Sequence, residues 1–146
     1  MPDIIFIVPA LPVAQPRQRH RIAGHGGKQF VQNYTPAKDP VNAFKSLVQL
    51  AFAQAYQGAP LADPLRVTID AVFARPKAII WKTRAMPRLR HTSKPDADNL
   101  AKGTTDALNG IAWQDDAQIC ELRVRKWIAA GDEAPHVTVR IERIEG

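Results

Sequence analysis

The sequence predicts a small α+β protein with one domain, several β-strands and two main helices. The chain has 146 residues with 45% hydrophobic content, which is enough for one compact core. Short segments alternate apolar and polar residues, as β-strands do, and two longer segments carry apolar residues at helical spacing. No internal repeat or long linker divides the chain, so we expect a single domain over residues 1–146.

The N-terminal third contains two predicted strands and the first predicted helix. Ile4 to Val8 is an apolar run that proline residues bring to an end, as expected of a buried strand. Phe30 to Tyr34 is predicted to be the strand that returns after a glycine-containing segment. Asp39-Pro40 is a favourable N-cap and first-turn pair, and apolar residues then follow at helical spacing to about Tyr56.

The remaining elements are a third strand, a second helix and two C-terminal strands. Leu65 to Phe73 alternates as a strand with one better-buried face. The second helix is predicted from about Ala97 to Asn109, with Asp96 as its N-cap and Asn109-Gly110 as its C-terminal stop. Strands are predicted around Cys120 to Arg125 and Val137 to Glu142.

Two local predictions concern these C-terminal strands. Gly131, Asp132 and Glu133 lie between them and are predicted to join them as a hairpin. The thiol of Cys120 is expected to be buried, because the residue falls within an apolar alternation. A single cysteine also excludes an internal disulfide framework and a cysteine-based zinc site.

The overall charge indicates an acidic partner. The formal net charge is +6 and the pI is about 9.8, which favours nucleic acid, with an anionic membrane surface as the main alternative. No apolar run approaches the length of a transmembrane helix. The N-terminus lacks the basic segment of a secretory signal, so we expect a cytoplasmic protein without membrane association.

The basic residues concentrate in two segments that contain no acidic residue. One lies between Arg75 and Lys94, where prolines argue against a continuous helix. The other surrounds Gly24, Gly26 and Gly27, which suit a hairpin tip or a mobile arm. The alternative is ordinary solvated surface. The candidate DNA contacts from these segments are Arg17, Arg19, Arg21, Lys28, Arg84, Arg88, Arg90 and Lys94.

Carboxylates cluster next to the longer basic segment. Asp96 lies at the predicted start of the second helix, and Asp98 and Lys102 are one helical turn apart on one side of it. Asp115 and Asp116 lie in the loop that leads to the Cys120 strand. Neighbouring carboxylates disfavour a phosphate backbone unless a divalent cation lies between them, so the cluster predicts a Mg²⁺ site beside nucleic acid.

Each of these residues also has a structural explanation when it is considered alone. Asp96 can be only a helix cap, and Asp98 with Lys102 can be an exposed ion pair. Asp115 and Asp116 can form a turn. Trp113, in the same loop, is expected to be a core or lid aromatic residue rather than a base-stacking one.

The whole motif resembles the RusA family of Holliday junction resolvases. The matching order is Lys-Pro-Asp-x-Asp-Asn-Leu-x-Lys, then Asp-Ala-Leu-Asn-Gly, then Asp-Asp-x-Gln-Ile, from Lys94 to Ile119. The resemblance implies a homodimer with a small mixed β-sheet and two helices packed on it. It also implies dependence on Mg²⁺, for which Mn²⁺ can substitute. The longer basic segment from Lys82 to Arg90 departs from the family pattern.

The resemblance further implies specific roles for the acidic motif. Asp96, Asp98 and Asp116 match the metal-binding carboxylates, and Lys102 matches a catalytic lysine. Asp115 matches a neighbouring position and is a further possible ligand. The predicted function is resolution of four-way junction DNA by paired symmetric nicks. The alternatives are a non-catalytic protein that binds branched DNA and a general Mg²⁺-dependent phosphodiesterase.

Overall fold

The computed structural model describes residues 2–16, 19–25, 27–34 and 38–145, and within 19–34 it describes mainly the backbone. The strands are β1 (Ile4–Val8), β2 (Arg19–His25), β3 (Lys28–Tyr34), β4 (Leu65–Phe73), β5 (Leu89–Arg90), β6 (Ile119–Ile128) and β7 (His136–Arg143), and the helices are α1 (Pro40–Ala55) and α2 (Ala97–Leu108). Five strands form a mixed sheet in the order β1-β7-β4-β6-β5, and β2 and β3 form a separate antiparallel hairpin. The predicted α+β class is confirmed. No helix among the described residues is long and apolar enough to span a membrane.

The first helix forms where the sequence predicts it. The Asp39 side chain accepts a hydrogen bond from the backbone N of Val41 at 3.0 Å, and Pro40 occupies the first turn. The buried residues of α1 recur at helical spacing and include Phe44, Val48 and Phe52. They face the sheet, where Phe52 contacts Phe6 of β1 edge to face at 5.8 Å between ring centroids.

The central strand β4 determines which face of the sheet the helices cover. Leu65, Val67 and Ile69 point into the core together with residues of both helices. The intervening residues of β4 point to the opposite face, where Asp70 pairs with Arg125 of β6 at 2.6 Å. This open face carries further ion pairs, including Arg66 with Glu121, Arg66 with Glu142 and Arg140 with Asp3.

The predicted hairpin between the last two strands is wrong. β4 lies between β6 and β7, pairing parallel to β6 and antiparallel to β7. The connection through Gly131 to Glu133 therefore crosses over one strand instead of closing a tight turn. The reason is that β4 is apolar enough to be central, so it occupies the position that a local hairpin would have filled.

Cys120 is exposed, so the prediction of a buried thiol is wrong as well. Alternation shows which residues share a face of a strand, but it does not show whether a neighbouring strand covers the edge. Beyond β6 only the two-residue strand β5 is paired, at Ile128 and Trp127. The first part of β6 consequently forms an edge of the sheet among the described residues.

Candidate active site

Two carboxylates are exposed at the N-terminus of α2. Asp96 occupies the N-cap position, but its side chain makes no capping hydrogen bond. Its carboxylate instead lies 3.3 Å from the ammonium of Lys94, and both side chains are largely exposed. Asp98 lies in the first turn and is also exposed. Both carboxylates are therefore accessible to an external ligand, and the predicted N-cap position of Asp96 is confirmed although its side chain does not cap the helix.

Lys102 follows one turn after Asp98 on the exposed side of α2. No ion pair joins these two side chains among the residues that the structure describes, although the sequence allows one. The opposite side of α2 is held in the core by Leu100, Ala101 and Leu108. Because the buried side fixes the rotation of the helix, the lysine and the carboxylates are presented together to solvent.

The segment before the basic hairpin packs directly on α2. The backbone N of Gln15 donates a hydrogen bond to the carbonyl of Asn99 at 2.9 Å. Gly103 permits this approach, because a Cβ at that position would lie 3.2 Å from the Gln15 backbone N and 3.4 Å from the Val13 carbonyl oxygen. The segment that leads toward the β2–β3 hairpin is thus anchored on α2. Sequence reasoning missed this role of Gly103, for which the only signal was a glycine inside a helix.

Asp116 is held at the other end of α2. The indole Nε1 of Trp113 donates to the Asp116 carboxylate at 2.7 Å, and the backbone N of Asp116 donates to Oδ1 of Asn109 at 3.1 Å. Trp113 is fully buried, so its predicted place in the core is confirmed. Asp115 caps the short 3₁₀ turn Asp116–Gln118 and accepts from the backbone N of Ala117 at 2.9 Å.

This placement separates Asp116 from the other two carboxylates. Asp98 and Asn109 are eleven residues apart along α2 and its C-cap, which corresponds to about 16 Å of helix. Ligands of one Mg²⁺ ion lie within about 4–5 Å of each other. The described residues accordingly contain no group of three His, Cys, Asp or Glu side chains that could hold a metal ion. Asp96 and Asp98 fit such an ion as exposed oxygen donors, whereas Asp116 does not join them within one chain.

The basic segment before α2 is largely irregular, as predicted, and several of its arginines lie over tryptophan rings. The Arg84 guanidinium lies 3.8 Å from the ring centroid of Trp81, and that of Arg90 lies 4.0 Å from the centroid of Trp127. The spacing of these tryptophans along the sequence does not reveal their contact with the basic residues. Arg84 and Arg90 remain exposed and accessible to phosphate.

Arg88 differs from its neighbours because it is bound to Glu133. Its Nε donates to the Glu133 carboxylate at 2.9 Å, and its Nη2 donates to the same group. This hydrogen bonding lowers the pKa of the Glu133 carboxyl to about 2. Since Arg88 already has an anionic partner, it is the weakest candidate for a phosphate contact within this segment.

The remaining predicted DNA contacts lie in or near the hairpin. Arg19 and Arg21 belong to β2 and Lys28 to β3, and their side chains lie outside the described part of the structure. Arg17 is itself outside the described residues. Their contacts with DNA stay predictions.

The fold and the site together define a class of protein. The domain is small and α+β, and one helix exposes two carboxylates and a lysine between basic segments. These are the residues expected of an enzyme that cleaves phosphodiester bonds. Residues 9–142 match the family described as Endodeoxyribonuclease RusA. The chain therefore belongs to the RusA endodeoxyribonuclease family, which is a family of nucleases. It is also similar to the Uncharacterized protein YqaN of Bacillus subtilis (strain 168), with 33% identity over 149 residues and 99% of each chain covered.

Proposed function

We propose that this protein is a metal-dependent endonuclease that resolves four-way junction DNA by two symmetric nicks. The observation that carries the proposal is the exposed trio of Asp96, Asp98 and Lys102 on one face of α2 in a chain of the RusA family. Mg²⁺ is the expected ion, with Mn²⁺ as a substitute, because both accept carboxylate oxygen ligands and retain several waters.

Asp96 and Asp98 are the proposed metal-holding residues, and they leave room for a phosphate oxygen because neither carboxylate is buried. A bound divalent ion supplies charge neutralisation at the scissile phosphate and lowers the pKa of a coordinated water. Lys102 places a compact positive charge one turn away. Its ammonium is suited to a non-bridging phosphate oxygen or to the leaving 3′ oxygen, on which negative charge develops.

The basic residues around this trio support a nucleic-acid substrate. Lys94 adjoins Asp96, and Arg84 and Arg90 are exposed on the preceding segment. The segment that leads toward the hairpin with Arg19 and Arg21 is bonded to α2 through Gln15. Positive groups on both sides of the carboxylates can hold the phosphate backbone while the site acts on one bond.

A homodimer is part of the proposal, because a four-way junction presents two symmetry-related strands. One site per protomer and a two-fold axis would match that symmetry, so that both strands are cut within one complex. The proposed partners are therefore four-way junction DNA and a second copy of the chain.

The test is cleavage of labelled junction, duplex and flap DNA in Mg²⁺ or in EDTA. We expect paired nicks at symmetric positions in the junction, only in the presence of the ion. Binding without cleavage would favour the non-catalytic binder, and cutting of all three substrates would favour the general phosphodiesterase. Asp98→Asn should abolish cleavage while junction binding is retained, because it removes a ligand charge and no phosphate contact. Asp106→Asn, an exposed carboxylate two turns further along α2, is the matched control and should cut normally.

A further inference from the structure

Trp81 lies within the basic segment that precedes α2, and its side chain is only partly buried. Its neighbours Ile80, Lys82 and Arg84 are exposed, and Ile80 is 53% exposed although it is aliphatic. No acidic residue occurs between Arg75 and Lys94. An aromatic ring among free cations is the arrangement by which proteins hold unpaired nucleobases, because the cations bind the backbone and the ring stacks on the base.

The backbone around Trp81 is held in place by Arg75. Its Nε donates to the carbonyl of Ile79 at 2.7 Å, and its Nη1 donates to the carbonyl of Pro87 at 2.8 Å. The backbone N of Trp81 also lies 3.2 Å from Sδ of Met86. Arg75 thus bonds the chain on both sides of Trp81. A ring that is positioned before DNA arrives loses little conformational entropy when it binds.

Two guanidinium groups lie over the Trp81 ring, and they are held differently. That of Arg75 is 4.7 Å from the ring centroid and is fixed by its bonds to backbone carbonyls. That of Arg84 is 3.8 Å away on an exposed side chain, and no carboxylate among the described residues pairs with it. A guanidinium is planar and stacks on an aromatic face much as a nucleobase does. Arg84 can therefore leave the ring to bind a phosphate, and a base can take its place.

Trp81 and the carboxylates of α2 lie toward the same end of β6. The backbone N of Gly131 donates to the carbonyl of Met86 at 2.9 Å, and the Lys126 ammonium donates to the carbonyl of Ser93 at 2.5 Å. Gly131 and Lys126 are five residues apart, so these two attachment points are separated by at most about 18 Å. Asp96 follows directly after Ser93-Lys94-Pro95. At about 3.4 Å per base pair, a few base pairs of DNA span this distance.

We propose that Trp81 stacks on a nucleobase that is unstacked at the branch point of the junction, in the place that Arg84 occupies in the free protein. This inference rests on the proposed function and adds a residue that recognises branched DNA. The continuous base stack of a duplex is interrupted at a branch point, so a base there leaves its neighbours at a lower cost than a base within an arm. Stacking accepts every base, so Trp81 distinguishes DNA structure and not DNA sequence.

Trp127, the other tryptophan beneath an arginine, does not fit this role. The Arg90 guanidinium lies 4.0 Å from its ring centroid, but its indole Nε1 donates to the Asp70 carboxylate at 2.9 Å. A base stacked on Trp127 would bring its phosphates close to that carboxylate, on the face where the arginines are already paired. Trp127 is therefore the matched control for Trp81.

Photo-cross-linking tests the contact without any activity measurement. A junction that carries 5-iododeoxyuridine at the branch point is bound in EDTA and irradiated, and the adduct is located by mass spectrometry. This base cross-links efficiently to an aromatic ring that stacks on it. We expect an adduct on Trp81 with the label at the branch point and none with the label in the middle of an arm. An adduct on Trp127 instead, or no adduct on Trp81 in a bound junction, would overturn the proposal.

Affinity measurements give a second test that is independent of the label. Trp81→Ala should lower junction affinity by about tenfold or more and leave duplex affinity unchanged, because an intact duplex offers no unstacked base. The salt dependence of binding should not change, because no charge is removed. Trp81→Phe keeps a ring and should restore most of the affinity, and Trp127→Phe should leave both affinities unchanged. Equal losses for junction and duplex, or no loss for either, would refute the stacking.

The two tests separate this inference from the proposed function. A wild-type protein that binds the junction without cutting it would refute the proposed function, and the adduct on Trp81 would still decide the stacking. A wild-type protein that cuts the junction and gives no adduct on Trp81 would refute the stacking alone.

Discussion

The hydrogen bond between Trp113 and Asp116 leads to a prediction that separates the stability of the fold from catalysis. Asp116→Ala removes the acceptor of the Trp113 indole N–H, which is 2.7 Å away and belongs to a fully buried side chain. A buried donor left without an acceptor costs about 1–3 kcal/mol, because water cannot replace the missing partner. We therefore expect Asp116→Ala to lower the free energy of unfolding by about 2 kcal/mol.

Asp116→Asn serves as the matched control, because its amide oxygen can still accept from the indole. For a domain of about 150 residues, 2 kcal/mol corresponds to a decrease in Tm of about 4–8 °C. Thermal unfolding followed by circular dichroism should show this decrease for Asp116→Ala and at most a small one for Asp116→Asn. Both variants should lose junction cleavage, because both remove the carboxylate charge.

Unfolding of Asp116→Ala at the same temperature as the wild type would refute this prediction. That result would mean that the indole N–H is hydrated or finds another acceptor. Equal destabilisation by both substitutions would also contradict it, since the asparagine variant retains an acceptor.

Three further predictions concern charged residues around the site. Lys102→Ala should lower the single-turnover cleavage rate by more than it lowers junction affinity, because a charge aimed at the transition state stabilises mainly that state. An equal loss of rate and affinity would mean that Lys102 is a simple phosphate contact. Replacing Arg84 and Arg90 together by Ala should reduce the slope of log affinity for the junction against log salt concentration by about 0.9 for each phosphate that the protein no longer neutralises. An unchanged slope would mean that neither arginine contacts the DNA backbone. The hydrogen bond from Arg88 lowers the pKa of the Glu133 carboxyl in the folded protein from 4.5 to about 2. The contribution of this pair to the free energy of unfolding is therefore present above pH 4.5 and is lost as the pH falls toward 2. In urea titrations, Arg88→Ala should reduce this acid dependence, and an unaltered profile would contradict the pairing.

The sequence predicted the two helices and the polar side of α2 that carries Asp98 and Lys102, because these signals are local. Asp39 with Pro40 marks the start of α1, and the spacing of Asp98 and Lys102 places both on one side of α2. Such patterns depend on residues within one or two turns of each other. The helix bounds therefore agree with the structure to within about one or two residues.

The features that sequence reasoning missed depend on contacts between distant residues. β4 separates β6 from β7, although the connection between them is short, because strand order depends on the burial of all the strands. The pairing of Arg88 with Glu133 joins residues 45 positions apart, so the basic segment alone gave no sign of it. The separation of Asp116 from Asp98 follows from the path of the chain after α2, which no local spacing reveals.

The ion pairs on the open face also affect how the protein meets a distant polyanion. Arg66, Arg125 and Arg140 have carboxylates beside them, so this side of the molecule contributes little to the net positive charge. The excess charge of the chain is consequently concentrated elsewhere, including the segment with Arg84 and Arg90. An uneven charge distribution of this kind gives the molecule an electric dipole, and the field of DNA exerts a torque on it before contact. The protein would then arrive with its ion-paired face turned away from the DNA, and this orientation would weaken as salt shortens the range of the field.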